Sequence, residues 1–310
     1  MNIVVLGAGA VGGYFGGKLA AKGSNVTFLV RPKRYKQLQK NGLHVKSVAG
    51  DFSITPNVVF EASEIDKPDL VIVALKNYHL EEALPQIETL VNNGAKVLPL
   101  LNGIKHLDVL TSKFGQEKVL GGLCYIEATL NNESEIVHTS ALHEIVFGPL
   151  LDTDRIFLRN LKDRFEQAKV PVTLSETILE DMWKKYIFLT SLSGITTATR
   201  QPIGVALQDD VTANFLNNVV TEVYEIAQAR NILLPENTIE AILTKLHSLS
   251  PEMTSSMHRD LEKGLSIELD SLHGYLLTLA EKYQIEVPSI HAIYSLLHPY
   301  KNGMKNEKDS

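Results

Sequence analysis

The chain opens with an apolar run, Ile3–Leu6, that breaks into glycines and then into a helical pattern over Val11–Ala21 ending at Gly23. Apolar runs return at Asn25–Val30, Leu70–Ala74 and Lys96–Leu100, and Tyr78–Val91 has helical spacing. Continuous apolar strands alternating with helices predict a parallel sheet covered on both faces. Val45–Val59, around Ala49-Gly50-Asp51, reads as irregular structure or a hairpin. Shorter strand signals follow at Val119–Ile126, Glu135–His138 and Glu144–Phe147, then a helix over Arg155–Ala168 and a strand over Val170–Leu174.

From Ser175, a candidate N-cap followed by Glu176, the texture changes. Helical patterns run over 176–198, 209–230, 236–247, 254–263, 266–283 and 289–297. The expected architecture is α/β: a dinucleotide-binding parallel-sheet domain over residues 1–170, an all-helical domain over 171–303, and a cleft between them. Residues 304–310 read as a solvated tail.

Composition narrows the function classes. A net charge of −6 gives nucleic acid or an anionic membrane no evident basic face, so neither is expected as a partner. The single cysteine, Cys124, forms no internal disulfide, which fits a reducing cytoplasm. No basic leader or bilayer-length apolar segment is read at the start. The ten histidines include no H-E-x-x-H and no Cys–His cluster, so no metal is expected. His138 and His143 are expected to satisfy local hydrogen bonds. The helices at 209–230 and 266–283 are candidates for a homodimer face or for core.

The chemistry begins at Gly7-Ala8-Gly9-Ala10-Val11-Gly12, which follows a strand and opens a helix. In that context the first glycine permits a tight turn, the second a close approach to a pyrophosphate, and the third close helix–strand packing. The free N–H groups and partial positive charge of the helix N-terminus favour the anion. The second strand ends in Phe28-Leu29-Val30-Arg31-Pro32-Lys33-Arg34, with no acidic residue for a ribose diol. Cations there suit the 2′-phosphate of NADP, and Arg31, nearest the strand end, is the first candidate. Lys76 and Asn102 follow the third and fourth strands, at carboxyl ends where open α/β sheets bind ligands.

In the helical half, Lys185, Leu189 and Ser193 share one helix face, while Lys184 points elsewhere. Burial on that face would move the lysine towards the range of a working acid. Ser256, Asp260 and Glu268 lie further on, and the Gly264 break places Glu268 in the first turn of a new helix.

Together these pieces resemble the ketopantoate reductase (2-dehydropantoate 2-reductase) family. The carrying residues are GAGAVGGYFGGKLA, VALKNYHLEEAL, LLNGI, MWKKY, TTATRQPIG and SSMHRDLEKGLSIELDSLHGYL. The resemblance implies an NADPH-dependent reductase of a 2-oxo acid, forming (R)-pantoate for pantothenate and coenzyme A synthesis. It implies a Rossmann domain followed by a helical domain like that of 6-phosphogluconate dehydrogenase relatives. The family's general-acid lysine falls on Lys185, its N-G-turn asparagine on Asn102, its cleft glutamate on Glu268 and its substrate serine on Ser256. The backbone of Ala128 matches a position near the cofactor, and Lys76, Asn102 and Glu268 fall on cofactor-side positions. The best-known members carry asparagines where this chain has Leu189 and Ser193. Those asparagines contact substrate, so the departure weakens or changes recognition of a hydroxylated substrate and keeps open reduction of another small 2-oxo acid. A separate alternative is NADP binding without catalysis, against which the intact Lys185 and Glu268 argue.

Overall fold

A computed structural model describes residues 1–151 and 154–303, so the expected tail lies outside the described residues. The chain divides into two compact units: Met1–Leu101 with His106–Ile178, and Asn102–Lys105 with Leu179 onward.

In the first unit, β1 (Asn2–Leu6), α1 (Ala10–Ala21), β2 (Asn25–Leu29) and α2 (Pro32–Asn41) lead into β3 (Leu43–Ser47), β4 (Phe52–Ile54) and β5 (Asn57–Val59). Then come β6 (Leu70–Val73), α3 (Leu80–Asn92), β7 (Lys96–Pro99), α4 (Lys105–Phe114), β8 (Leu120–Leu130), β9 (Ile136–Pro149), α5 (Arg155–Gln167) and β10 (Val172–Leu174). The main sheet has the order β5-β2-β1-β6-β7 and every pairing is parallel. Strand order reverses between β1 and β6, and the chain leaves both strands at the same edge. This switch point is where open α/β sheets bind ligands. β1 and β6 are almost wholly buried, which is why both read as unbroken apolar runs.

A second sheet runs β10-β9-β3-β4, with β8 antiparallel to β9. The Val45–Val59 stretch resolves into the β3–β4 hairpin of this sheet and β5 of the main one. The two strand signals at Glu135–His138 and Glu144–Phe147 join as the single strand β9, their polar middle lying exposed or half-buried on the β8–β9 ribbon. His138 meets the Ser47 hydroxyl at 2.8 Å and the Leu142 carbonyl at 3.2 Å, as expected. His143 departs from that expectation, because its Nδ1 is buried without a partner.

The second unit is helical: α6 (Ile178–Thr199), α7 (Ile203–Gln208), α8 (Asp210–Ala229), α9 (Thr238–His247), α10 (Ser256–Glu262), α11 (Tyr275–Tyr283) and α12 (Pro288–Leu297). Ser175 does not cap α6. Its hydroxyl accepts from Thr177 N–H in a turn, and the helix starts at Ile178. The expected 266–283 helix starts late and irregularly, with a π-helical turn over Asp270–Gly274 leading into α11. Leu216, Val219, Val220, Val223 and Ile226 of α8 are core. Among the described residues no helix is long and apolar enough to cross a membrane.

One buried carboxylate ties this unit together. Glu222 of α8 accepts from the N–H groups of Ser289 and Ile290, both at 2.9 Å, at the N-terminus of α12. A side chain from another helix thus satisfies two donors that α12 cannot satisfy itself. Glu222→Gln removes the charge and turns one acceptor into a donor facing an N–H. Chemical denaturation is expected to show a loss of about 2 kcal/mol.

Candidate active site

The first part of the site lies at the switch point. Gly7 has φ of +97°, and a Cβ there would sit 2.7 Å from the Ala74 carbonyl oxygen after β6. A Cβ on Gly12 would lie 2.0 Å from the Gly7 carbonyl oxygen, so α1 packs onto the turn only without a side chain. At Gly9 the opposite holds, since a Cβ would meet nothing within 4 Å. Gly9 is also the N-cap of α1, with no side-chain cap and no acidic residue in the first turn. Open space before an uncapped helix N-terminus fits the pyrophosphate of a dinucleotide.

The basic stretch after β2 divides by exposure. Arg31 and Lys33 are exposed, with Arg31 at the N-cap of α2, whereas Arg34 is half-buried. Burial, followed by the charge of Arg31, holds the His79 imidazole below its usual pKa, which puts Arg31 beside the turn that follows β6. Lys76 starts that turn, a 3-10 segment over Asn77–His79. Ala128 lies on β8 just past a register shift between Ile126 and Ala128, where Glu127 N–H donates to the Ser140 hydroxyl. Such a bulge re-aims the backbone beside it.

The second part is built within the helical unit. Lys185 Nζ donates to Asn102 Oδ1 at 3.2 Å. Lys184 turns away to pair with Glu180 one turn earlier, so adjacent lysines serve different partners. Gly103, at φ of +83°, lets the turn after Asn102 come close to the π-helical segment. A Cβ there would sit 3.1 Å from Leu272 Cδ2 and 3.3 Å from the Ser271 carbonyl oxygen. Tyr186, next to Lys185, donates its hydroxyl to the Leu272 carbonyl. The Asn102 turn, α6 and the segment beginning at Glu268 therefore meet through Gly103, Tyr186 and Leu272.

Glu268 is buried at 6% exposure. It precedes the helix instead of sitting in its first turn, and its carbonyl accepts from Leu272 N–H and the Ser271 hydroxyl. Ser256 is the first residue of α10. The capping role belongs to its neighbour Ser255, which accepts from His258 N–H and from the Thr196 hydroxyl of α6.

The Lys185 face of α6 changes character along its length. Lys185 and Leu189 are half-buried, while Ser193 and Thr197 are fully buried with hydroxyls that lack a partner. Ser193 is thus sealed, and a ligand reaches its hydroxyl only if the surrounding packing opens. Residue spacing gave no sign of Tyr186, Gly103 or the π-helical turn. The N-G dipeptide was the one local signal.

Two family models match the chain. Ketopantoate reductase PanE/ApbA matches residues 3–152, and the C-terminal ketopantoate reductase PanE/ApbA model matches residues 177–301. The chain belongs to the ketopantoate reductase family. Its two parts follow the division between sheet-containing and helical units. This family member is 37% identical over 301 residues to the Bacillus subtilis protein named uncharacterized oxidoreductase YkpB, covering 97% of this chain and 99% of that one. It is similar to the crystal structure of 2-dehydropantoate 2-reductase from Geobacter metallireducens GS-15, with a TM-score of 0.87 and 27% identity over 96% of this chain and 99% of that one. It shares its fold with D-mandelate dehydrogenase solved with NADH and anilino(oxo)acetate, at a TM-score of 0.86 and 22% identity over 97% and 98% of the two chains. Among the described residues no group of three or more His, Cys, Asp or Glu side chains is placed to hold a metal.

Proposed function

We propose that the protein is a cytoplasmic, NADPH-dependent reductase of a small 2-oxo acid, with 2-dehydropantoate the first candidate substrate and (R)-pantoate its product. The bond from Lys185 Nζ to Asn102 Oδ1 carries this reading. The Asn102 amide oxygen holds the lysine ammonium as a hydrogen-bond donor, the kind of group a keto oxygen needs.

When bound, the reduced nicotinamide supplies a hydride to the keto carbon. The N–H groups after Gly9 hold the pyrophosphate, Arg31 the 2′-phosphate, and Lys76 and the Ala128 backbone border the same cofactor. Lys185 donates to the keto oxygen, stabilises the growing alkoxide and passes its proton to that oxygen. The neutral amine is then reprotonated from water. Asn102 fixes the lysine rotamer, Ser256 donates to the substrate carboxylate, and Glu268 orients the lysine or a substrate hydroxyl.

Leu189 favours a second reading, a different 2-oxo acid. An aliphatic side chain one turn from Lys185 suits an apolar substituent better than a hydroxylated one. Comparing kcat/KM for ketopantoate and for unhydroxylated branched 2-oxo acids decides between them. Preference for ketopantoate supports the first reading, and preference for an unhydroxylated acid moves the substrate while keeping the chemistry.

Cofactor choice has its own test. Arg31→Ala is expected to weaken NADPH binding about tenfold or more and leave NADH binding nearly unchanged, as titrated by fluorescence. Equal losses for both cofactors would remove Arg31 from 2′-phosphate recognition.

A further inference from the structure

Arg34 is the third cation of the basic stretch, and its side chain is already engaged. Its Nε donates to the Ala8 carbonyl at 3.0 Å. Its Nη1 donates to Gln37 Oε1 at 2.8 Å and to the Ser134 carbonyl at 3.2 Å. Ser134 lies in the β8–β9 turn at φ of +63°, where Asn131 Oδ1 accepts from the N–H groups of Glu133 and Glu135. The guanidinium therefore joins α2, the β8–β9 turn and the glycine loop.

Ala8 is the residue between the first two glycines of that loop. Its peptide to Gly9 is trans, so the Ala8 carbonyl and the Gly9 N–H point to opposite edges of one plane. Fixing the carbonyl on Arg34 fixes where the N–H points. Gly9 has open space around its missing side chain and starts α1. Gly7 and Gly9 flank Ala8, so the loop backbone is permissive on both sides of the buried Ala8 methyl group. An external anchor is what a preorganised anion cradle requires.

We infer that Arg34 is a positioning residue for the dinucleotide pyrophosphate, acting through the Ala8–Gly9 peptide, and not a ligand of the 2′-phosphate. This role rests on the cofactor reading proposed above. It separates the three cations by task, leaving Arg31 and Lys33 exposed for the adenosine end.

The test uses the full-length protein with Arg34→Gln and Arg34→Lys, titrated with NADPH, NADH, ADP and 2′-AMP. ADP carries a pyrophosphate without a 2′-phosphate, and 2′-AMP the reverse. Arg34→Gln is expected to weaken NADPH, NADH and ADP by a similar factor, about tenfold, and leave 2′-AMP unchanged. Arg34→Lys, which keeps one donor for the Ala8 carbonyl, is expected to recover part of the loss. The Gly9 amide resonance of the unliganded protein is expected to shift in Arg34→Gln. Loss confined to NADPH and 2′-AMP would overturn the role and make Arg34 a phosphate ligand. Equal loss for all four would also overturn it, marking a general structural defect. A wild-type protein that binds ADP and NADPH beside an unaffected Arg34→Gln refutes the Arg34 role alone. A wild-type protein that binds neither refutes the cofactor reading, and this role with it.

Discussion

Lys185→Ala is expected to lower kcat about a thousandfold, within the range that removal of a positioned general acid produces. That is roughly 4 kcal/mol of transition-state stabilisation. Lys185 is half-buried and donates to Asn102, so truncation removes a polar side chain and opens no cavity in the apolar core. The melting temperature is expected to change little, and NADPH affinity to stay within error. Lys185→Arg sharpens the test. A guanidinium still donates to Asn102 and to a keto oxygen, but it does not release a proton near neutrality. If Lys185→Arg is as slow as Lys185→Ala, proton delivery is the larger contribution. If it recovers most of kcat, hydrogen bonding to the alkoxide is. An unchanged kcat in Lys185→Ala would exclude the lysine from the chemistry.

The second large effect concerns stability against acid. His273 lies in the π-helical turn with no solvent exposure, and its Nε2 meets the Thr190 carbonyl of α6 at 3.1 Å. Gly194 makes the room, since a Cβ there would lie 2.7 Å from that nitrogen. Burial pulls the His273 pKa down from 6.5 to about 4, against a smaller opposing effect of the Thr190 carbonyl. The folded state therefore holds His273 neutral where the unfolded chain would protonate it. Between those two pKa values the unfolded state binds more protons, so stability falls as pH falls. The contribution is intact above pH 6.5 and is lost progressively towards pH 4, reaching about 3 kcal/mol. Urea denaturation of wild type and His273→Gln at neutral pH and near pH 5 isolates this group. The wild type is expected to lose about 2 kcal/mol more than the variant between the two conditions. Parallel losses would mean that His273 accepts a proton without unfolding.

Much of the fold is legible in the sequence because parallel strands buried on both faces must be apolar throughout. Asn2–Leu6, Leu70–Val73 and Lys96–Pro99 stand within a residue of their predicted bounds for that reason. Helix α2 escaped notice because PKRYKQLQKN buries only Leu38 and so shows no apolar stripe. The six-residue α7 is too short for a period to emerge. In the candidate site, the division of labour between Lys184 and Lys185 was readable, since adjacent residues on a helix face different ways. Depth along a face was not: Leu189 and Ser193 share a side with Lys185, yet one is half-buried and the other sealed. Nor was the anchor on Ala8. A backbone carbonyl carries no signal in residue identities, so Arg34 read as one more cation beside Arg31.

The most direct measurement of the central claim is transfer of deuterium from NADPH deuterated at the reactive C4 position to ketopantoate, with the product read by mass spectrometry. The account predicts NADPH oxidation coupled to pantoate carrying one deuterium at C2, with transfer slowed about a thousandfold in Lys185→Ala. Bound NADPH that is never oxidised by ketopantoate or by any branched 2-oxo acid would contradict it.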